Sequence, residues 1–591
     1  MGNLTRNPLV YLVSAVWHYS KGNTIRVAAF WLMFIVAESI FLFGQPLIVA
    51  KILNTVQREG ITTENIRMCV VLLVCMFMLE VAFWLFHGPA RVMEEVNAFN
   101  VRTNYRRHLL RGIMTLPLDW HFEHHSGDTI DKVSKGTGGI YEFSKESFVI
   151  VYSIVRLVVS YVMLTVFSPP AGVIVAIMIL LTLLVTIRFD RGLNAQYEEI
   201  THAENAISES ISDGMNNILT VIILRVEKLV FDGIMHKVEK PLDLVRRYTK
   251  TNEWKWFCTS MCCAVMTGLV LVTYLWQNLG TPQGVLVGSF YILVQYLGKM
   301  SEVFYQFTTM YGGVLRRRVQ VANAEELSRD FGSETFANHV LPSAWKTLGI
   351  QNLSFAYGSG DARVHLDDVS LIIERGERIA LVGGSGSGKT TFLKVMRDLH
   401  HPRNLTLSVD GHVIHDGFAG ISRAITLVPQ ASEIFARTVW ENITIGAEHD
   451  ITLVRRFTDM ACFTEVAESL PHGFDSSLQE KGVNLSGGQQ QRLALARGLL
   501  ACHGKDIILL DEPTSSLDAV TEMEVYQRIL KGFPEQTIIS SVHGLYLLPL
   551  FDRICMFEDG KIIATGTLDE MLVSCPQFAT LWNARNEATK Q

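Results

Sequence analysis

Long apolar runs crowd the first part of the chain and give way, after about residue 315, to ordinary mixed sequence. Six stretches come near the roughly 20 apolar residues that a membrane-crossing helix needs: 25–53, 68–90, 148–168, 171–187, 254–276 and 284–313. The first and last are long enough to tilt or to run past the bilayer. The shorter, mixed stretch 7–19 predicts a helix lying along the interface. Two segments of about 60 residues, after the second and fourth spans, continue the apolar periodicity but are rich in Lys and Arg. They predict helices extended into water and paired as two hairpins, with tips near 135–141 and 212–219. Beyond a linker at 325–345 the pattern changes to short strands at 346–354 and 378–382, a helix at 392–399, and buried strands at 507–510 and 537–541. The expected fold class is therefore a membrane α-helical domain of six spans with long cytoplasmic extensions (1–324), followed by an α/β domain (346–591).

Composition sharpens this division. Charged residues make up 19 % of the 591 residues, against about 25 % in soluble chains, and the deficit lies in the apolar runs. One soluble globule, a disordered chain and a disulfide scaffold are excluded. The net charge of −6 gives no reason to expect nucleic acid as a partner. The nine cysteines follow no regular framework and read as free thiols of a reducing compartment. Cys258 and Cys262 share a helix face, but no further metal ligands stand near, so packing is the reading. MGNLTR fails the myristoylation pattern at Arg6, and the first 24 residues lack the order of a signal peptide.

Basic residues set the orientation. Arg91, Arg102, Arg106, Arg107 and Arg111 open the first long segment, and Arg188, Arg191, Lys237, Lys240, Arg246 and Arg247 stud the second. Arg316, Arg317 and Arg318 follow the last span, while the opposite loops hold only Arg58 and Arg67. Both termini and the α/β domain are expected in the cytoplasm.

The chemistry sits in three places. GGSGSGKTT follows the strand at 378–382 and fits G-x-x-x-x-G-K-[ST], with Gly383, Gly388, Lys389 and Thr390 in place. Such a loop wraps backbone N–H groups around phosphate oxygens at a helix N-terminus. The lysine reaches the outer phosphates and the threonine hydroxyl binds Mg²⁺. The aliphatic strand at 507–510 ends in Asp511, placed to hold Mg²⁺, and Glu512, the natural base for an attacking water. Between them lies LSGGQ, Leu485–Gln489.

This combination resembles the ATP-binding cassette (ABC) transporters, of the exporter type with six spans and one nucleotide-binding domain per chain. The resemblance covers the whole chain. It implies that ATP lies on Gly383, Gly384, Ser385, Gly386, Ser387, Gly388, Lys389, Thr390 and Thr391, with Tyr357 stacked on the adenine. It implies that Gln430 meets Mg²⁺ and couples to the membrane half, and that His543 is the switch histidine at the γ-phosphate. It implies that Ser486, Gly487, Gly488 and Gln489 cap the γ-phosphate of ATP held by another subunit, and that Ser516, Leu517 and Asp518 form the loop between the two sites. Glu512, His543 and Gln430 form the catalytic set, and Thr390, Gln430 and Asp511 the Mg²⁺ set. The arm tips would dock beside the Gln430 loop, the second one, Asp213–Leu219, on the opposite subunit. Two stretches depart from the pattern. Gly544 replaces the arginine that often follows the switch histidine. Ser476–Gly482 (SSLQEKG) keeps Glu480 and Gly482 but differs at Ser477 and Gln479.

The resemblance further implies an integral, multi-pass protein of a bacterial inner membrane that pumps an amphiphilic, lipid, glycan or peptide substrate. An ATP-gated channel or a regulatory subunit is the alternative. The intact catalytic set favours two identical chains in contact with membrane lipid over a heterodimer. Ionisable residues within spans mark function by default. Glu80 and Arg156 come at equal depth and predict an ion pair, structural or touching substrate. Glu38, without a mate at its depth, is expected to face a wet cavity. Lys299 and Glu302, three apart, are expected to pair. Phe304, Phe307 and Tyr311 recur at helical spacing on the last span, with packing or lipid contact favoured over a lining of the translocation path, and Gly284-x-x-x-Gly288 permits close helix approach.

Overall fold

The computed structural model describes residues 7–124, 126–279, 285–331, 341–342, 344–357, 364–431, 433–478 and 485–588. The chain forms two compact units. One comprises Met1–Thr115 and His125–Gly332. The other comprises Ser333–Gln591 together with Leu116–His124.

Among the described residues the N-terminal unit is helical: α1 (Pro8–Tyr19), α2 (Thr24–Glu59), α3 (Asn65–Ile113), α5 (Ser126–Lys145), α6 (Ser147–Phe167), α7 (Pro169–Asn216), α8 (Ile218–Leu224), α9 (Glu227–Glu239), α10 (Leu242–Gln277) and α11 (Val287–Leu327). The six predicted spans map onto α2, α3, α6, α7, α10 and α11, the last from Val287 onward, with residue 284 outside the described residues. The first five of these are long and apolar enough to cross a membrane. α11 is as long but carries Lys299 and Glu302 midway. α3, at 49 residues, measures about 74 Å at 1.5 Å per residue. That is more than twice the roughly 30 Å of hydrocarbon, so one continuous helix supplies both a span and an arm. Val159, Leu164, Val175, Met266, Val270, Leu293, Tyr296 and Phe304 close a core among α6, α7, α10 and α11. Phe304 thus belongs to packing, while Phe307 and Tyr311 lie ring to ring at 5.5 Å.

The first arm turns earlier than the sequence pattern suggests. Residues 135–141, with three glycines, lie inside α5. Gly136 and Gly139 are there to let α5 approach α11: a Cβ at Gly136 would strike the Ala324 methyl, and one at Gly139 would stand 2.9 Å from Gln320 Oε1. The turn is made instead at Pro117, which starts the short helix α4 (Leu118–Glu123). The second arm breaks at Asn217, between α7 and α8, within the span 212–219. Gly288 packs against α2, where a side chain would meet the Ala50 carbonyl and where its N–H donates to Asn54 Oδ1 at 2.8 Å. Gly284 lies outside the described residues.

The C-terminal unit is two sheets with helices. β1 (Thr347–Phe355), β2 (Leu366–Glu374), β4 (Asn404–Val409) and β5 (His412–Ile414) form an antiparallel sheet in the order β2-β1-β4-β5. β3 (Arg378–Val382), β6 (Ile425–Val428), β7 (Ile507–Asp511), β8 (Thr537–Ser541), β9 (Arg553–Glu558) and β10 (Lys561–Gly566) form a second, in the order β10-β9-β3-β8-β7-β6. Its strands are parallel except β10. Helix α12 (Lys389–Met396) contributes Phe392 and Leu393 to the layer between the sheets. α13 (Val439–Thr444), α14 (Ile451–Met460), α15 (Thr464–Ser469), α16 (Gly487–Ala501) and α17 (Ala519–Gly532) cover the other face through Val439, Phe457, Ala467, Leu493, Tyr526 and Ile529. All five residues of β7 and of β8 are buried, which explains their runs of apolar and small side chains, broken only by Asp511 at the end of β7. In such a sheet the C-terminal strand ends form a ligand crevice. β3, β6, β7 and β8 end there in Gly383, Gln430, Asp511–Glu512 and His543, at the positions their spacing suggested.

Candidate functional site

The loop after β3 is shaped by its glycines. Gly383 has φ +147°, and a Cβ on it would strike the Phe557 carbonyl and stand 2.9 Å from Ser387 Oγ. Ser387 and Lys389 are buried, while Gly384, Ser385 and Gly386 form the exposed rim. Lys389 Nζ donates to the carbonyls of Gly383 at 2.8 Å and Gly384 at 3.1 Å. Burial holds its ammonium below the ordinary lysine value, with Glu512 and Asp511 pulling the other way. A buried cation bonded to two carbonyls and the Ser387 hydroxyl, all uncharged, suits a bound polyanion. Gly383→Ala combines a left-handed φ with a backbone clash, a strain of about 1–3 kcal/mol. ATP affinity is expected to fall roughly five- to 150-fold, measured by nucleotide titration. Unchanged affinity would remove the steric argument.

The acidic end of β7 is held from three sides. Thr390 Oγ1 and Ser541 Oγ both donate to Asp511 Oδ1 at 2.9 Å. The N–H of Glu512 donates to Ser541 Oγ at 3.0 Å. Glu512 adopts φ +46°, a conformation uncommon for any residue but Gly and costly enough to need this support. Its Oε2 accepts from Gln430 Nε2 at 2.7 Å, and its Oε1 lies 2.5 Å from His543 Nε2. Three residues read separately from the sequence, 82 and 31 positions apart, therefore share one carboxylate. Thr390 and Asp511 supply hard oxygen donors side by side, which suits Mg²⁺.

Tyr357 stands 38 % exposed, with its hydroxyl 3.5 Å from Thr391 Oγ1, so an aromatic face flanks the start of α12. The signature segment has a different setting. Ser486 and Gln489 form a reciprocal capping box at the start of α16: Gln489 N–H donates to Ser486 Oγ at 3.3 Å, and Ser486 N–H to Gln489 Oε1 at 2.9 Å. Gly487 and Gly488 form its first turn, Gly488 against Ser516 and Leu517. Among the described residues no hydrogen bond joins Ser486–Gln489 to the phosphate loop. Asp518 caps α17 by accepting from the N–H groups of Val520 and Thr521, and these bonds, Thr521 first, hold its carboxyl below the usual value. Gln479, Glu480 and Gly482 lie outside the described residues.

Sequence reasoning passed over three supporting residues. Ser541 ties Asp511 to the Glu512 backbone; two serines closing a wholly buried strand were the available signal. Gln491, 4 % exposed, bonds Ser515 Oγ at 3.1 Å and accepts from Ser516 N–H at 2.8 Å, which fixes the 516–518 loop to the signature helix. Tyr546 explains Gly544. A Cβ at Gly544 would lie 2.9 Å from the Tyr546 ring, and the Tyr546 hydroxyl bonds Glu522, which also accepts from Thr514 Oγ1 at 2.6 Å.

Within the membrane unit the ion pairing differs from the sequence expectation. Arg156 Nε donates to Glu38, and Arg156 Nη1 to Glu302 Oε2 at 3.2 Å. Lys299 Nζ donates to the same Glu302 at 3.1 Å, the pair its spacing suggested. Glu38 is 2 % exposed, so it lies sealed in this network rather than in a wet cavity. Glu80 lies exposed on α3, and it does not pair with Arg156. Depth along the helices matched, but depth is one coordinate. The facing direction decides the partner, and α6 turns Arg156 toward α2 and α11.

Comparison with known proteins agrees with this construction. Residues 366–515 match the ABC transporter family and residues 28–299 the ABC transporter transmembrane region. The chain is 27 % identical over 506 residues to the mesentericin-Y105 transport/processing ATP-binding protein of Leuconostoc mesenteroides, covering 83 % of this chain and 67 % of that one. It is 28 % identical over 527 residues to the beta-(1→2)glucan export ATP-binding/permease protein of Nitrobacter winogradskyi, covering 85 % and 83 %. Its fold matches a bacterial Atm1-family ABC exporter solved with ATP bound, with a TM-score of 0.80 at 21 % identity over 95 % of this chain and 98 % of that one. With a transmembrane region and an ATP-binding domain on one polypeptide, this multi-pass membrane protein belongs to the ABC transporters as an exporter-type half-transporter.

Proposed function

We propose that the chain works as one half of a homodimeric, ATP-hydrolysing exporter in a bacterial inner membrane, with both termini and the nucleotide-binding unit in the cytoplasm. The observation that carries the reading is the shared carboxylate of Glu512, held by Gln430 and His543 beside the phosphate loop, on a polypeptide that also crosses the membrane. The loop N–H groups and Lys389 bind and neutralise the triphosphate, and Tyr357 stacks on the base. Glu512 accepts a proton from the attacking water, while Gln430 and His543 fix the direction of its carboxylate. Thr390 and Asp511, with Gln430, would hold Mg²⁺, which neutralises phosphate charge when bound.

A phosphate loop alone leaves one side of the γ-phosphate open. Ser486, Gly487, Gly488 and Gln489 form a second helix N-terminus fit for phosphate, and their separation from the loop within one chain favours delivery by a second copy. All catalytic positions are intact, so two identical chains complete two equal sites. ATP then joins the two cassettes, hydrolysis parts them, and the long helices carry the motion to the spans.

The names of the two relatives, one a mesentericin-Y105 transport/processing protein and one a beta-(1→2)glucan exporter, support an exported cargo and, among the amphiphilic, lipid, glycan and peptide classes, name a glycan. In proteoliposomes with the nucleotide-binding unit outward, one of these classes is expected to stimulate ATP hydrolysis and to accumulate inside only when ATP is present. Stimulation without accumulation, or a single-channel current, would overturn pumping.

A further inference from the structure

Helix α4, the turn of the first membrane arm, belongs to the C-terminal unit. The resemblance placed an arm tip beside the Gln430 loop, yet α4 makes a specific bond elsewhere. Asp119 Oδ1 lies 2.8 Å from Nδ1 of His400, a side chain only 3 % exposed. A carboxylate oxygen accepts, so His400 Nδ1 is the donor, and the bond fixes the orientation of its ring.

The His400 ring stands edge-on to Tyr357 at 5.1 Å and 84°. Phe355 and His365 meet Tyr357 edge-on as well, each at 4.8 Å, and Phe355 lies 5.4 Å from His400. Three rings thus wall the aromatic side chain proposed to stack on adenine. Of the three, His400 is the one bonded to the membrane arm, through a residue 281 positions earlier in the chain.

We infer that Asp119 and His400 are positioning residues for Tyr357, so that the first membrane arm sets how firmly the cassette holds the nucleobase. The inference rests on the reading of Tyr357 as the base-stacking residue. Loss of the Asp119–His400 bond frees the His400 ring to rotate and loosens the wall that holds Tyr357. The arm then acts on the base and not on the phosphates, which are bound by the separate loop at 383–391.

The test uses the full chain in proteoliposomes, with KM for ATP, kcat, and the inhibition constant of inorganic tripolyphosphate, which has no base. Asp119→Ala and His400→Phe, the latter keeping a ring but no donor, are expected to raise KM for ATP roughly two- to tenfold, the scale of one hydrogen bond or aromatic contact. The tripolyphosphate constant stays within twofold, and Asp119→Asn, which keeps the accepting oxygen, stays near the parent. In a Tyr357→Ala background, Asp119→Ala adds nothing. A Tyr357→Ala chain with raised KM beside an unchanged Asp119→Ala chain would overturn the inference and leave Tyr357 in its role. An unchanged KM in Tyr357→Ala itself would overturn the stacking assignment. A parallel rise in the tripolyphosphate constant would show general damage to the site and reject the inference; if Asp119→Ala does not fold, His400→Phe decides.

Discussion

Glu512→Gln lowers steady ATP hydrolysis about 10²–10⁴-fold, the usual contribution of a positioned general base, and leaves ATP binding near the parent value. The expectation follows from what the substitution keeps and what it removes. The glutamine amide has nearly the size of the carboxylate and can still accept from Gln430 Nε2, which lies 2.7 Å away. It can also donate to His543, now in reach of Glu512 Oε1. The left-handed backbone at residue 512, tied to Ser541, does not depend on the side-chain charge. The phosphate loop and Lys389 are untouched, so nucleotide still binds. What disappears is the ability to take a proton from water. If ATP binding by the cassettes closes the dimer, the variant also accumulates closed with ATP trapped, seen as slow release of labelled nucleotide. Hydrolysis at the parent rate in Glu512→Gln would remove Glu512 from its assigned role and with it the proposed mechanism.

Arg156→Leu is expected to destabilise the membrane unit by about 3–5 kcal/mol, the cost of leaving a buried charge without its partner. Glu38 is the stranded charge: 2 % exposed, bonded to Arg156, and placed on a membrane helix. Glu302 suffers less, because Lys299 remains bonded to it at 3.1 Å. The four side chains sum to zero charge, so removing one cation leaves one excess anion, and removing Glu38 as well restores the balance. Glu38→Gln with Arg156→Leu should therefore recover much of the loss, measured as thermal unfolding of the detergent-solubilised protein. Additive losses in the double variant would show that the pair does not act as a unit. Glu80→Gln, at an exposed position on α3, is expected to leave stability within about 0.5 kcal/mol. A large effect there would revive the pairing that depth alone suggested.

The two units differ in how much of them the sequence announces. In the α/β unit, a strand followed by a glycine-rich loop needs residues of one type at one spacing, because backbone N–H groups must close on phosphate. The buried strand ending in Asp511 and Glu512 and the strand Thr537–Ser541 before His543 follow from apolar runs and local order in the same way. The supports of those residues were not legible. Ser541, Gln491 and Tyr546 act across 24 to 30 positions or through a neighbour's glycine, and no local pattern distinguishes such a serine or glutamine from one that only fills space.

Hydropathy by itself marked the apolar helices, five of them long and apolar enough to cross a membrane, and their division from the cassette, because transfer into hydrocarbon is a sum over residues and ignores what each one touches. Local spacing determined the phosphate loop, because its chemistry is local. Tertiary structure alone decided which face each helix shows its neighbours. It gave Arg156 to Glu38 and Glu302 rather than Glu80, made Gly136 and Gly139 a packing surface rather than a turn, and brought Asp119 to His400. Those choices depend on rotation about helix axes and on contacts between distant segments, and a one-dimensional pattern carries depth along a helix but not the direction in which it faces.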